Sequence, residues 1–295
     1  MIDLFIVTSD DFYFTGRLKK ELEIKGINVS LLNFPKKKQN FKKKIILSLV
    51  FGPYTLSYLF GNLYSKYLIN QNYETIVSEQ VLKDKFKKNN RSIFLMINCE
   101  QVIKNNDFFN NPRFINFHTA LLPSDKGLAP IFWQLLKKIK NDDLVLGWTL
   151  HEINKKLDEG KIIYQSIIPS NKEINIWKLY QFFYCNPELI KLLEKICKIK
   201  SFNLKPIKLG KFNESYNKTP HLTDVLEFYL VRQDDFGKFC RFFVVGGIFG
   251  LIGFALQQFF FKLLENFNFD IALTVFFSTI LSFLSLVFFN FLIQR

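Results

Sequence analysis

Two uncharged runs near the C-terminus constrain this chain more than any other feature. Residues 242–261 read FFVVGGIFGLIGFALQQFFF and residues 271–293 read IALTVFFSTILSFLSLVFFNFLI, with no charged side chain in either. A helix needs about 20 apolar residues to cross a bilayer, and a buried core helix rarely runs that long without a charge. The pattern predicts a soluble part over 1–230 followed by a two-helix transmembrane hairpin over 236–295. Lys238 and Arg241 precede the first run, Arg295 follows the second, and Lys262 is the lone basic residue in the link 262–270. The positive-inside rule then puts both outer ends, and the soluble part, on the cytoplasmic side of the inner membrane. Gly246, Gly247, Gly250 and Gly253 lie near one helical stripe, where small residues permit close helix packing.

Composition narrows the rest. Of 295 residues, 48% are hydrophobic and 22% charged, which excludes both a disordered chain and a wholly embedded one. Four Cys exclude a disulfide-stapled scaffold. The opening MIDLFIVTSDD has no basic region and reads as a strand, not a signal peptide. Without the tail, the first 235 residues hold 36 basic and 24 acidic side chains, a balance that attracts RNA or anionic lipid alike.

Asp3–Thr8 reads as a strand, Asp11–Lys25 as a helix stopped by Gly26, and Val29–Phe34 as a second strand. That order predicts an α/β fold with a parallel-rich, Rossmann-like sheet. Ser92–Ile97 and Arg113–Phe117 read as further strands, and Lys83–Lys88 and Lys191–Lys200 as amphipathic helices. Between them, PKKKQNFKKK leads into an apolar stretch broken by Gly52, Pro53 and Gly61. A basic cluster beside an apolar helix suits an anionic bilayer surface; a solvated loop before a core helix is the other reading. Cys99, Cys185, Cys197 and Cys240 form no metal-spaced pair, and His118, His151 and His221 have no second ligand at i+4, so no metal is expected.

Chemistry concentrates in 114–168. A strand ends at Phe117, and Asn116 and His118 alternate along it, so they share one face. An irregular loop, TALLPSDKGLAP, follows at the strand's C-terminal end, where open α/β sheets bind ligands. Leu144–His151 and Lys161–Ser166 read as two more strands around a turn at Asp158–Gly160. An Asn, a His and an Asp together support acyl transfer. The amide donates to a developing oxyanion, the His donates or takes a proton, and the Asp orients the His. His151 reads as a strand residue facing a polar partner, and His221 as structural, beside a helix-capping Thr223. Trp133, Trp148 and Trp177 read as core, and Cys99 as a buried apolar residue.

The run Asn116-x-His118-x-x-Leu121-Leu122-Pro123-x-x-Lys126-Gly127-x-x-Pro130, then Gly147-x-Thr149-x-His151 and Asp158-x-Gly160-x-Ile162, resembles the signature of 10-formyltetrahydrofolate-dependent formyltransferases. The resemblance covers about residues 1–230 and implies a Rossmann-like formyltransferase domain. It implies Asn116, His118 and Asp158 as the catalytic triad, and 10-formyltetrahydrofolate as co-substrate. It also implies a folate pocket around Met96, Ile97, Asn98 and Cys99, with Leu122 and Gly160 completing it. Two positions depart from the pattern: Lys126 where Arg is usual, and Glu159 where Thr is usual.

The stretch from Lys238 to Gly247, with the ending Phe291–Arg295, resembles the first half of GtrA-like membrane proteins, which are implicated in moving polyprenyl-linked sugars. Those usually have four spans, so two copies of this hairpin would complete the set. An amino sugar on a nucleotide or polyprenyl phosphate is therefore the expected acceptor, made at the membrane face. Nucleic acid is the weaker expectation, because methionyl-tRNA enzymes of this family normally carry a second, RNA-gripping domain where this chain has apolar helices. A non-catalytic membrane binding subunit is the remaining alternative.

Overall fold

The computed structural model describes residues 2–9, 11–35, 50, 54–68, 73–141, 143–168, 176–199, 209–210, 212–232, 235–265 and 270–293. The lysine cluster at 36–44 and residues 266–269 of the link lie outside the described residues. The chain divides into two compact units, Met1–Phe228 and Tyr229–Arg295.

In the first unit, β1 (Leu4–Thr8), β2 (Val29–Asn33), β3 (Tyr73–Thr75), β4 (Ile93–Ile97) and β5 (Phe114–His118) run parallel, in the spatial order β3-β2-β1-β4-β5. The sheet continues antiparallel through β7 (Leu146–Glu152) and β8 (Ile162–Ile168), giving seven strands among the described residues. Strands β1 and β4 are buried along their whole length, which is why they read as continuous apolar runs rather than alternating ones. A short pair, β6 (Lys126–Gly127) with β9 (Tyr216–Asn217), stands apart.

Helices cover the sheet: α1 (Tyr13–Ile24), α2 (Thr55–Leu63, continued by a wider π turn over Tyr64–Leu68), α3 (Glu79–Lys88) and α4 (Pro130–Lys140). Then come α5 (Ile176–Tyr184), α6 (Pro187–Ile199) and α7 (Leu222–Val231). Helix α3 starts where Ser78 Oγ accepts from Val81 N and buries Leu82 and Phe86. Phe86 meets Phe94, Phe108 and Phe114 edge-on, and with Phe5 these rings fill one face of the sheet. Helix α7 is entered differently from the expectation. Asp224 Oδ2 accepts from His221 N at 2.6 Å, and Thr223 lies in the first turn instead of capping it.

The order of strands reverses between β1 and β4, and open α/β sheets leave a crevice outside the strand ends at such a point. Ser9, just past β1, and Asn98, just past β4, meet there: Ser9 N donates to Asn98 O at 3.4 Å. Asn98 adopts a left-handed φ of 47°, which turns the chain away from the sheet at the crevice floor.

The second unit holds α8 (Asp235–Glu265) and α9 (Ile271–Ile293). Ser282 Oγ donates to the Gly253 carbonyl at 3.0 Å, and Gln257 Nε2 to Thr279 Oγ1 at 3.0 Å. A methyl on Gly253 would meet Leu286 Cδ1 at 2.8 Å, so this glycine does allow close helix approach. Gly246, Gly247 and Gly250 face no neighbouring atom, which corrects the expectation that all four glycines form the packing stripe. The segment Gly237–Glu265 is long and apolar enough to cross a membrane; the apolar segment Ile271–Val287 in α9 is shorter.

Candidate active site

Strand register brings the site together. Asn116 pairs with His151 across β5 and β7, and His118 with Thr149, so all four side chains lie on one face. Thr149 is the loop's anchor. Its hydroxyl donates to Ala120 O at 2.7 Å and accepts from Leu122 N at 3.0 Å, fixing the chain just after His118. Gly147 leaves room for Leu121 and the Ser166 carbonyl, and its N–H donates to Gln134 Oε1 at 3.0 Å. The Gly-x-Thr-x-His pattern is therefore a single strand face whose every second residue shapes the site.

His151 is buried, and its Nδ1 lies 2.8 Å from the Glu152 carbonyl. A carbonyl only accepts, so Nδ1 carries the proton. Burial lowers the ring's pKa from the usual range to about 4, with the Asp158 charge only partly offsetting it. The ring is therefore neutral at pH 7 and Nε2 is an acceptor. Asn116 Nδ2 lies 3.0 Å from it and donates. His151 thus fixes which way the Asn116 amide points.

His118, also buried, donates from Nε2 to the Asp125 carbonyl at 2.9 Å. Its Nδ1 lies 3.6 Å from Asp158 Oδ1, and the same oxygen lies 3.6 Å from His151 Nε2. These separations exceed hydrogen-bond length, so Asp158 acts on both rings through its charge. Asp158 has a left-handed φ of 55° and is held by Gly127 N, which donates to Oδ2 at 2.8 Å. Two residues on, a β-carbon at Gly160 would overlap the Glu152 carbonyl. Only glycine lets the turn return under the same carbonyl that orients His151.

A cavity of about 330 Å³ opens on this cluster. Asn116, His118, His151 and Asp158 line it, with Met96, Asn98 and Cys99 at the end of β4. Phe14, Tyr58, Tyr180 and Tyr184 form a more aromatic wall. Of the residues expected around a folate, Ile97 points into the core, and Leu122 and Gly160 support the loops without lining the cavity. Cys99, expected to be buried, is half-buried and lines the cavity. His151 is the residue that reading the sequence underrated. Its signal was the alternation Gly147, Thr149, His151 on the strand next to Asn116 and His118.

Lys126 is buried and its ammonium sits 3.1 Å from Glu159 and 2.6 Å from Glu214. Burial works against the ammonium, but the carboxylates of Glu214 and Glu159 outweigh it and raise its pKa.

This constellation sits inside a segment with known relatives. Residues 64–183 match the formyl transferase family model. The match contains Asn116, His118, His151 and Asp158. The chain is 36% identical over 129 residues to a methionyl-tRNA formyltransferase of Ehrlichia canis, and 30% identical over 127 residues to that of Ehrlichia chaffeensis. Each alignment takes in 43% of this chain, and the chain spans 38% of the length of these curated relatives. A 4-N formyltransferase from Francisella tularensis has the same fold: TM-score 0.50 at 18% identity, covering 78% of this chain and 87% of that one.

Proposed function

We propose that this chain is a membrane-anchored N-formyltransferase, moving a formyl group from 10-formyltetrahydrofolate to the amine of an amino sugar on a nucleotide or polyprenyl phosphate. The observation that carries this reading is the convergence of Asn116, His118, His151 and Asp158 on one cavity at the strand ends. The cavity suits the donor. Tyr58, Tyr180 and Tyr184, stacked on Phe14, form an aromatic wall suited to a flat ring, and Asn98 and Cys99 line the same cavity.

Each residue then has a part. The Asn116 amide gives one N–H to His151 and carries a second, which donates to the formyl oxygen as the amine attacks and charge develops there. His118 donates to the same oxygen or steadies it through charge, with Asp125 and Asp158 on either side of its ring. Asp158 takes the proton the amine loses and passes it to the folate nitrogen, which leaves as its bond to the formyl carbon breaks. Holding amine and formyl donor together removes much of the entropic barrier, so no covalent enzyme intermediate is required.

The tail supports the membrane reading. Phe242, Phe243, Leu251 and Phe254 of α8 are exposed in the structure, and a helix apolar all round belongs in lipid. We read the tail as half of a GtrA-like domain in the inner membrane, with the catalytic unit in the cytoplasm and a homodimer supplying four helices. A lipid-carried acceptor explains why a formyl-transferring unit would be anchored. Methionyl-tRNA is the second reading, favoured by the curated relatives at 30–36% identity.

The test is formyl transfer by the full chain in lipid nanodiscs. 10-Formyltetrahydrofolate is supplied with amino-sugar nucleotides, polyprenyl-phosphate amino sugars or methionyl-tRNA, and the formylated product is detected by mass spectrometry. A formylated sugar that disappears with Asn116→Ala is the expected result. Formylation of tRNA alone would move the function to translation.

A further inference from the structure

Helix α2 with its π turn carries two stripes that are the reverse of an ordinary surface helix. The inner stripe is small and polar. Asn62 Oδ1 accepts from Phe12 N at 2.7 Å and from Tyr13 N at 3.0 Å, Gly61 lies against the Tyr13 ring, and Ser65 is buried. The outer stripe, Leu56, Leu59, Phe60, Leu63, Tyr64 and Tyr67, follows helical spacing and is apolar. Leu56 is 64% exposed, Phe60 68% and Tyr67 65%, and no residue of Thr55–Leu63 is buried. A helix facing water shows the opposite arrangement, and a contiguous exposed apolar patch marks an interaction site. The reading of this stretch as a core helix is thereby excluded for Thr55–Leu63.

Charge identifies what covers it. From Lys36 to Leu68 the sequence holds seven lysines and no acidic residue. Lys66, on the helix itself, stands 5.1 Å over the rings of both Phe12 and Tyr67, its stem along apolar surface and its charge at the edge. An exposed apolar stripe on a helix that carries Lys66, within a stretch of sequence free of acidic residues, matches an anionic lipid surface, where the rings enter the acyl boundary and lysine meets headgroups. A second copy of the chain would bring like charges together.

We propose that α2 is an interfacial helix that docks the first unit on an anionic bilayer surface, as a membrane contact separate from the apolar tail. Thr55, Tyr58 and Leu59 of the same helix line the cavity that holds Asn116 and His118. Docking therefore places one wall of that cavity at the lipid surface. Where the formyl-transfer reading holds, an amine on a lipid carrier reaches the site without leaving the membrane; the docking itself does not depend on that reading.

The test is hydrogen exchange with mass spectrometry on the full chain, in nanodiscs of phosphatidylcholine alone, in nanodiscs containing phosphatidylglycerol, and in detergent. Peptides covering 55–68 should exchange about tenfold more slowly in the anionic discs. High salt should reverse the effect, and Leu56→Ser with Phe60→Ser should abolish it while leaving exchange in α6 unchanged. Equal rates in all three settings would overturn the proposal. So would protection in detergent that grows with protein concentration, which would assign the face to a second copy. Peptides from 237–265 report tail insertion in the same data, and formyl transfer is assayed on the same samples, so failure of either reading is told apart from failure of this one.

Discussion

Lys126 holds Glu159 at 3.1 Å across the gap between the loop after β5 and the turn between β7 and β8. These are the two positions where the chain departs from the formyltransferase pattern, Lys for Arg and Glu for Thr. The departures answer each other, and they do so beside the bond from Gly127 N to Asp158 Oδ2 at 2.8 Å. The ion pair clamps the same two loops that this bond joins.

Glu159→Thr should therefore loosen the clamp without touching the reacting groups. Glu159 and Glu214 are partly exposed, so salt weakens the pair. The expected result is an acceptor KM raised about threefold, with kcat within about twofold, converging with the native enzyme at high salt. Lys126→Glu should cost far more, because it gathers three carboxylates, and adding Glu159→Lys should restore part of the loss. Steady-state kinetics at two salt concentrations decides it.

His151 makes stability depend on pH in a defined direction. Its pKa of about 4 in the folded protein lies below the usual value near 6.5, because burial disfavours the charged ring. The unfolded chain binds the proton more readily, so stability falls as pH drops from about 6.5 to about 4. The limiting loss is about 3 kcal/mol. Urea unfolding in detergent, followed by the fluorescence of Trp133, Trp148 and Trp177, should show that loss. His151→Gln should remove most of it. The same variant should lower kcat about tenfold with little change in KM, since a mispointed Asn116 fails the charge that develops only during reaction.

Gly160→Ala tests the turn. The added methyl has the Glu152 carbonyl in its place, and backbone does not yield as a side-chain tip does. A cost of about 2–4 kcal/mol is expected. Because that carbonyl orients His151, activity should fall by more than about tenfold even at temperatures where the variant is folded. A melting curve alongside kcat at low temperature separates the two effects. Gly246, helical and with nothing within 4 Å of an added Cβ, is the contrasting position.

What was legible in the sequence follows burial. Strands β1, β2, β4 and β5 stood out because a parallel strand covered on both faces is a run of Ile, Leu, Val and Phe. Tyr73–Thr75 was invisible: it is a three-residue edge strand with Tyr73 half-buried and Glu74 and Thr75 exposed. Strand β7 starts at Leu146 and not Leu144, since Leu144 and Val145 are apolar yet exposed, and composition alone does not place a strand end. Helix α4 was not read, although Ile131, Phe132, Leu135, Leu136 and Ile139 recur at helical spacing and are buried. Gln134 is buried and bonds the Thr119 and Gly147 carbonyls. In the candidate site, Asn116, His118 and Asp158 were singled out through a motif. The groups that position them, Glu152 O, Asp125 O and Gly127 N, are backbone atoms with no residue signature.

Asp125 illustrates that second kind of group and yields a last prediction. It is buried, has a left-handed φ of 56°, and its carbonyl accepts from His118 Nε2 at 2.9 Å. Its carboxylate takes Lys137 Nζ at 2.6 Å and Asn217 Nδ2 at 2.6 Å, and its N–H donates to Ser215 Oγ at 2.9 Å. A non-glycine residue holds this backbone conformation only when its surroundings fix it, and Lys137 supplies the charge that does so. Lys137→Met should cost about 1–2 kcal/mol, below the figure for a fully buried pair because Lys137 is partly exposed. It should also lower kcat about tenfold while leaving KM near its native value, as expected of a positioning residue whose effect passes through His118. Lys137→Arg, which keeps the cation, should recover most of the loss. The imidazole N–H signal of His118 in the nitrogen-15 spectrum reports the same bond directly. It should shift in Lys137→Met and return in Lys137→Arg, and an unmoved signal with reduced kcat would assign the effect to general loss of stability.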